Sequence, residues 1–145
     1  MTRIRRTALV PYSAEAMYAL VNDVEAYPQF LPWCTGVTVH ERGEESLRAT
    51  LEIAKGAVRQ RFTTHNRMLA GRRIEMRLAE GPFKSLYGTW LFQPLGERGC
   101  EVSLDMCFEL AGGLLGLTLG QVFNPIASSL VDAFCTRAAQ CYGPG

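Results

Sequence analysis

Few side chains in this chain have the type and spacing for chemistry. His40 and His65 are the only histidines. Neither has a partner at the spacing of a metal site or a nucleophile–base pair. Both fall on the polar side of alternating segments, which is where solvated strand histidines sit. The five cysteines are odd in number, with no CxxC and no even framework. They read as reduced thiols of a cytoplasmic protein, most simply small core hydrophobes. Cys100 and Cys107 do not complete a metal-ligand set. Cys34, beside Trp33, is the thiol whose exposure is worth testing. Gly112-Gly113-Leu114-Leu115-Gly116 lacks the Lys-Ser/Thr ending of a phosphate loop. The residues therefore predict no catalytic constellation, no metal and no built-in cofactor.

The elements that position these groups follow from periodicity. The chain has 145 residues, of which 48% are apolar and 20% charged, with net charge +1. That suits one domain over residues 1–145 and gives no whole-protein field to draw a nucleic acid, DNA included, or an acidic partner. No signal peptide is expected, and no stretch reaches the ~18 apolar residues of a membrane span. The longest element is at the end, Leu114 to Tyr142. Leu115, Leu119, Val122, Phe123, Ile126, Leu130, Phe134 and Ala138 recur at steps of three or four, one face of a helix. At 1.5 Å per residue it is about 40 Å long. Pro125 should kink it, and Gly143, Pro144 and Gly145 end it. Its other face is polar but almost uncharged, so the helix is expected to be mostly enclosed.

Between Val37 and Glu109 the period is two. Six strands with short connections are predicted there, each with one apolar side. Thr2 to Val10 adds a seventh. Ser13 is placed to cap a short helix from Ala14, with Tyr12 and Met17 spaced as a hydrophobic staple. A second helical piece is stopped by Pro28 and Pro32. The two short pieces cannot cover seven strands, so the sheet must curl around the long helix. The predicted fold is α+β: a curved seven-stranded antiparallel sheet gripping a kinked C-terminal helix, with two short N-terminal helices. A kinked helix in a curved sheet leaves a hollow. Phe62, Trp90, Phe92, Val122, Ile126 and Leu130 are expected to line it, each contributing roughly 1.5–3 kcal/mol if buried.

Tyr27-Pro-Gln-Phe-Leu-Pro-Trp-Cys34, Glu80-Gly-Pro-Phe-Lys-Ser-Leu86, Trp90-Leu-Phe92, Phe123, Val131-Asp-Ala-Phe134, Arg137-Ala138 and Tyr142-Gly143 resemble the ubiquinone-binding branch of the START-like polyketide cyclase/dehydrase superfamily. That branch holds the mitochondrial coenzyme Q-binding proteins and bacterial members labelled ribosome association toxins. The resemblance runs from about Ile4 to Gly143 and implies the same helix-grip fold. It implies a carrier of ubiquinone or another lipid that supports respiratory electron transport, and so a protein that is not an enzyme. Beginning at its first strand, with no mitochondrial presequence, the chain matches the bacterial members better.

On this reading the ligand-binding set is Gln60, Phe62, Trp90, Phe92, Val122, Phe123, Ile126, Leu130 and Phe134. Gln60, Arg6 and Arg137 are polar residues on apolar sides. Either the register is shifted by a bulge, or Arg137 snorkels or pairs with an acid near the helix end, or one of the three meets a quinone head. Gln60 is favoured, since a buried cation loses several kcal/mol of solvation. Tyr27, Phe30, Leu31 and Trp33 are either core or a lid touching the inner face of a membrane, and Phe83 and Leu86, after Gly81-Pro82, form a second apolar loop; side by side at one end of the cavity the two make its mouth. Arg72, Arg73 and Lys84 add weak attraction to anionic lipid. Two alternatives stand beside the carrier. One is a toxin of a toxin–antitoxin pair that binds the large ribosomal subunit and blocks subunit joining, using outward Arg48, Arg59, Arg61 and Arg77. The other is an aromatic polyketide cyclase, for which no acid–base pair is evident.

Overall fold

Alternating apolar and polar side chains carry most of the chain into seven strands. The computed structural model describes residues 1–143. The elements are β1 (Thr2–Val10), α1 (Ala14–Asn22), a short 3₁₀ helix (Val24–Gln29), β2 (Cys34–Arg42), β3 (Ser46–Lys55), β4 (Val58–Leu69), β5 (Arg73–Glu80), β6 (Phe83–Leu95), β7 (Gly99–Leu110) and α2 (Gly113–Tyr142). The sheet runs β1-β7-β6-β5-β4-β3-β2, antiparallel throughout. From β2 to β7 each strand pairs with the next. β1 pairs along β7 from Thr2↔Phe108 to Val10↔Cys100, which brings the start of the chain beside its end. The curved sheet closes on α2, as the periodicity predicts. Several strands outrun their alternation: β6 begins at Phe83, so Phe83 and Leu86 belong to a strand and not to an apolar loop.

The Ser13 hydroxyl accepts the Ala16 N–H at 3.1 Å, capping α1; this satisfies a backbone donor that a helix start leaves free. Met17 and Val21 point inward from it. Tyr12 reaches the end of α2. Its hydroxyl donates to the Gly143 carbonyl and its ring lies 5.7 Å from that of Tyr142. Tyr142 in turn donates to the Ala16 carbonyl at 3.0 Å. These bonds tie the end of α2 to α1. Pro144 and Gly145, read as part of the helix stop, lie outside the described residues.

Along α2, Gly116, Leu119, Gly120, Phe123, Ile126, Ala127, Val131, Phe134 and Ala138 are buried. The expectation of an enclosed helix is corrected on its outer side and at its start. Leu114 is 79% exposed, Leu115 52% and Leu117 64%. Burial begins only at Gly116, so the first turn stands in solvent. α2 passes through Pro125 as one helix. The carbonyl that Pro125 leaves without a partner belongs to Gln121, an exposed residue, so the lost bond falls on the solvent side. By length and mean hydropathy (1.4) α2 could span a bilayer. Its packed face makes it a core helix here.

The close approach of α2 depends on missing side chains. A Cβ on Gly116 would lie 1.7 Å from the Ala111 carbonyl oxygen, and one on Gly120 2.8 Å from Leu110 Cδ1. The chain doubles back from β7 into α2 across Gly116. Helix propensity alone would make Gly116→Ala stabilising by about 1 kcal/mol. Overpacking against backbone reverses that sign, so urea denaturation is expected to show a loss of about 1–3 kcal/mol.

The thiols separate by burial. Cys34 and Cys100 are buried, Cys107 and Cys135 are partly buried, and Cys141 is exposed. Burial pushes the Cys34 thiol pKa up and that of Cys100 up to about 11. Native protein at pH 8 is expected to lose Cys141 first to a thiol-specific reagent. Cys34 and Cys100 should react only on unfolding, as mass mapping of the labelled positions would show.

Candidate functional site

Two aromatic clusters attach α2 to the sheet. At the first, Phe123 meets Phe108 at 4.8 Å between ring centroids, Phe83 at 5.0 Å and Phe62 at 6.1 Å. At the second, Phe134 meets Tyr27, Phe30 and Trp90, each at 5.4 Å. All six contacts are edge-to-face, the arrangement the ring quadrupoles favour. Phe123 and Phe134 are three helical turns apart, about 16 Å along the axis. Ile126 and Leu130 lie between them and face a cavity of about 70 Å³. Its wall also includes Val24, Tyr27, Trp33, Leu51, Phe62, Thr64, Asn66, Met76, Leu86, Trp90, Met106, Phe123 and Phe134. The hollow thus lies beneath Trp90, between the two clusters. At this size it holds a few waters. Small-molecule pockets run to about 300–1,000 Å³.

The wall is apolar except at one place. Asn66 is 6% exposed, and its Oδ1 is buried without a hydrogen-bond partner. Thr64, on the same side of β4, is equally buried. An orphaned amide oxygen costs about 1–3 kcal/mol, so it marks a place where a donor is missing. Sequence reasoning passed over Asn66 because the alternation was followed only to His65. The parity of Phe62, Thr64, Asn66 and Met68 was available to find it.

The structure brings Phe62, Trp90, Phe123, Ile126, Leu130 and Phe134 together on the cavity wall. It places three others elsewhere. Gln60 has inward parity, but it lies near the β3–β4 turn and lines a surface groove with Thr35, Glu52, Arg59 and Arg61. Phe92 is buried under α1, stacked on Trp90 and edge-on to Tyr18. Val122 is only half-buried, on the flank of α2. Arg6 also has inward parity, but on an edge strand its stem escapes to solvent, and its guanidinium donates to the Arg5 carbonyl at 2.9 Å. Arg137 donates to Gln29 Oε1 at 3.0 Å and lies 4.9 Å over the Phe30 ring.

Of the residues read as a mouth, Tyr27, Leu31, Phe83 and Leu86 are core. The Tyr27 hydroxyl donates to the Val21 carbonyl, and burial pushes its pKa upward, so it stays a neutral phenol. Only Phe30 and Trp33 keep partial exposure, and Trp33 also reaches the cavity.

The outer face of the sheet has the opposite character. Arg48, Arg59, Arg61, Arg67, Arg73 and Arg77 project from β3, β4 and β5. Both histidines share this face. His40 Nε2 lies 2.7 Å from Thr50 Oγ1, which lies 2.6 Å from Thr63 Oγ1. Among the described residues no cluster of His, Cys, Asp and Glu has metal-site geometry.

A curved sheet gripping a helix over an apolar hollow is the build of one protein class. The polyketide cyclase/dehydrase and lipid transport family model matches residues 10–135, and the chain belongs to that family. Over 98% of its length it is 51% identical to the ribosome association toxin RatA of Pseudomonas aeruginosa, covering 99% of that protein. To the mitochondrial coenzyme Q-binding protein COQ10 homolog B of Xenopus laevis it is 29% identical, over 91% of this chain and 56% of that one. Among solved structures it is similar to an 18 kDa protein of Caulobacter crescentus, at TM-score 0.75 and 32% identity over 99% of both chains. A Streptomyces aromatase/cyclase shares the fold at TM-score 0.79 and 18% identity, over 94% of this chain and 93% of that one.

Asn66→Leu keeps the side-chain size and removes the orphaned amide. Without ligand it is expected to raise the unfolding free energy by about 1–3 kcal/mol in urea. A loss of stability would mean that the amide is satisfied.

Proposed function

We propose that this chain is a ribosome-associating factor of the kind its RatA-named relatives' name describes, acting in the cytoplasm on the large subunit. The observation that carries the reading is the end-to-end 51% identity with a ribosome association toxin, against 29% with a coenzyme Q-binding protein of which it spans about half. The outward arginines of β3–β5 supply a surface for such a partner. The resting cavity, about 70 Å³, is too small to hold an isoprenoid quinone without opening, which sets the carrier reading second. Purified protein is expected to co-sediment with isolated large subunits at about 100 mM salt, to leave them as salt rises, and to lower the fraction of joined ribosomes. Protein that stays at the top of the gradient at every salt would overturn the proposal.

Asn66 favours a second function for the same fold: binding an apolar molecule with one polar head. Its Oδ1 can accept from a hydroxyl, and its Nδ2 can donate to a carbonyl. Ubiquinol and ubiquinone present these two groups on an isoprenoid chain. The aromatic walls supply the apolar contact, and α2 would have to shift to admit the ring. Titration with a short-chain ubiquinone is expected to quench Trp90 and Trp33 fluorescence, more weakly in Asn66→Leu. No quenching, and no lipid in native mass spectra of the protein taken from its host, would remove this reading. Among the described residues no acid–base pair lines the hollow, so the geometry does not favour the third reading, the cyclase.

A further inference from the structure

The net charge of +1 conceals a segregation. On the outward side of β3, β4 and β5 stand six arginines and no lysine, against Glu52, Glu75 and Glu80. Glu75 is taken by Arg73 at 3.6 Å, and Glu80 faces Arg48 at 3.9 Å. Among the described residues Arg59, Arg61, Arg67 and Arg77 have no ion-pair partner. The register aligns them. Arg48 pairs with His65, His65 with Arg77, and Arg77 with Tyr87, one cationic and aromatic row across four strands. Strands are about 4.8 Å apart, so Arg48 and Arg77 stand about 10 Å from each other. Tyr87 is 47% exposed at the end of the row. Beside the row lies a groove, lined also by Glu41 and Glu80, in which His40 meets the half-buried Thr50 and Thr50 meets the buried Thr63, a chain of ring nitrogen and hydroxyls between Arg48 and Arg61.

We infer that this outer sheet face is an RNA-binding surface, with Arg48, Arg61 and Arg77 on phosphates and with His40 and Thr50, backed by the buried Thr63, on ribose hydroxyls. The choice of RNA follows from the side chains. Guanidinium forks match phosphate oxygens better than ammonium groups do. Imidazole and hydroxyl groups can both donate to and accept from a 2′-hydroxyl, the group that separates RNA from DNA. An exposed tyrosine among arginines offers a stacking platform that an acidic protein would not use. The assignment to ribosomal RNA rests on the ribosome reading above; the surface itself does not.

The test uses the full chain, Arg77→Glu and Arg98→Glu. Arg98 lies in the exposed β6–β7 turn and gives the same change of charge away from the row. Binding is measured to large subunits by sedimentation, and to protein-free large-subunit RNA by fluorescence anisotropy across a salt series. Wild type is expected to bind both. Arg77→Glu should bind both about tenfold more weakly, with the slope of log K against log salt shallower by about one. Arg98→Glu should stay within about twofold of wild type. Subunit binding unchanged in Arg77→Glu and insensitive to salt would overturn the surface and leave ribosome association standing. Loss of subunit binding in Arg77→Glu, with no binding of naked RNA by wild type, would assign the face to a ribosomal protein and overturn RNA. Binding of RNA through Arg77 with no subunit binding would keep the surface and overturn the ribosome reading.

Discussion

Phe123 and Phe134 hold α2 against the sheet at two points, and the rest of the interior is arranged around that attachment. Each ring is met edge-on by three others. Such pairs contribute about 0.5–1.5 kcal/mol each beyond the area they bury. The first cluster draws on β4, β6 and β7, and the second on β6 and the segment after α1. One helix thereby ties β4 to β6 and β7 across the intervening β5. Between the clusters the helix offers only Ile126 and Leu130, which are too short to fill the span between rings. The hollow follows from the spacing of the anchors.

The same geometry divides the molecule into two environments. Inside, fifteen residues enclose a space in which Asn66 alone carries an amide, and its oxygen is unpaired. Outside, the identical strands present arginine, histidine and threonine to water. Alternation with period two makes this possible, because one strand serves both faces at once. On β4, Phe62 and Asn66 serve the interior while Arg61, His65 and Arg67 serve the exterior. A partner on the outer face and a molecule in the hollow would therefore touch opposite sides of the same backbone.

Much of this was legible in the sequence. The 3.6 period of α2, the change to a period of two at Val37 and the Ser13 cap fix the element order, and family resemblance agrees with it. Cavity-wall residues were legible where parity and helical phase pointed the same way, as for Phe62, Trp90, Phe123, Ile126, Leu130 and Phe134. They failed where position along an element mattered more than parity. Gln60 and Arg6 have inward parity, but one lies near a strand end and the other on an edge strand, where long side chains reach water. Phe92 is inward too, but α1 covers it instead of α2. Leu115 fits the apolar stripe, yet burial starts only at the next residue. Periodicity says which way a side chain points; it does not say what lies opposite, and that is set by the packing of distant segments.

Amide hydrogen exchange along α2 tests the two-point attachment most directly. If Phe123 and Phe134 carry it, amides from Phe123 to Ala138 will exchange in the slowest class, at the free energy of global unfolding. Those of the first turn, up to Leu117, will exchange far faster. Fast exchange along the whole of α2 while the sheet stays protected would show a helix that swings free, and the attachment would not be what holds the fold.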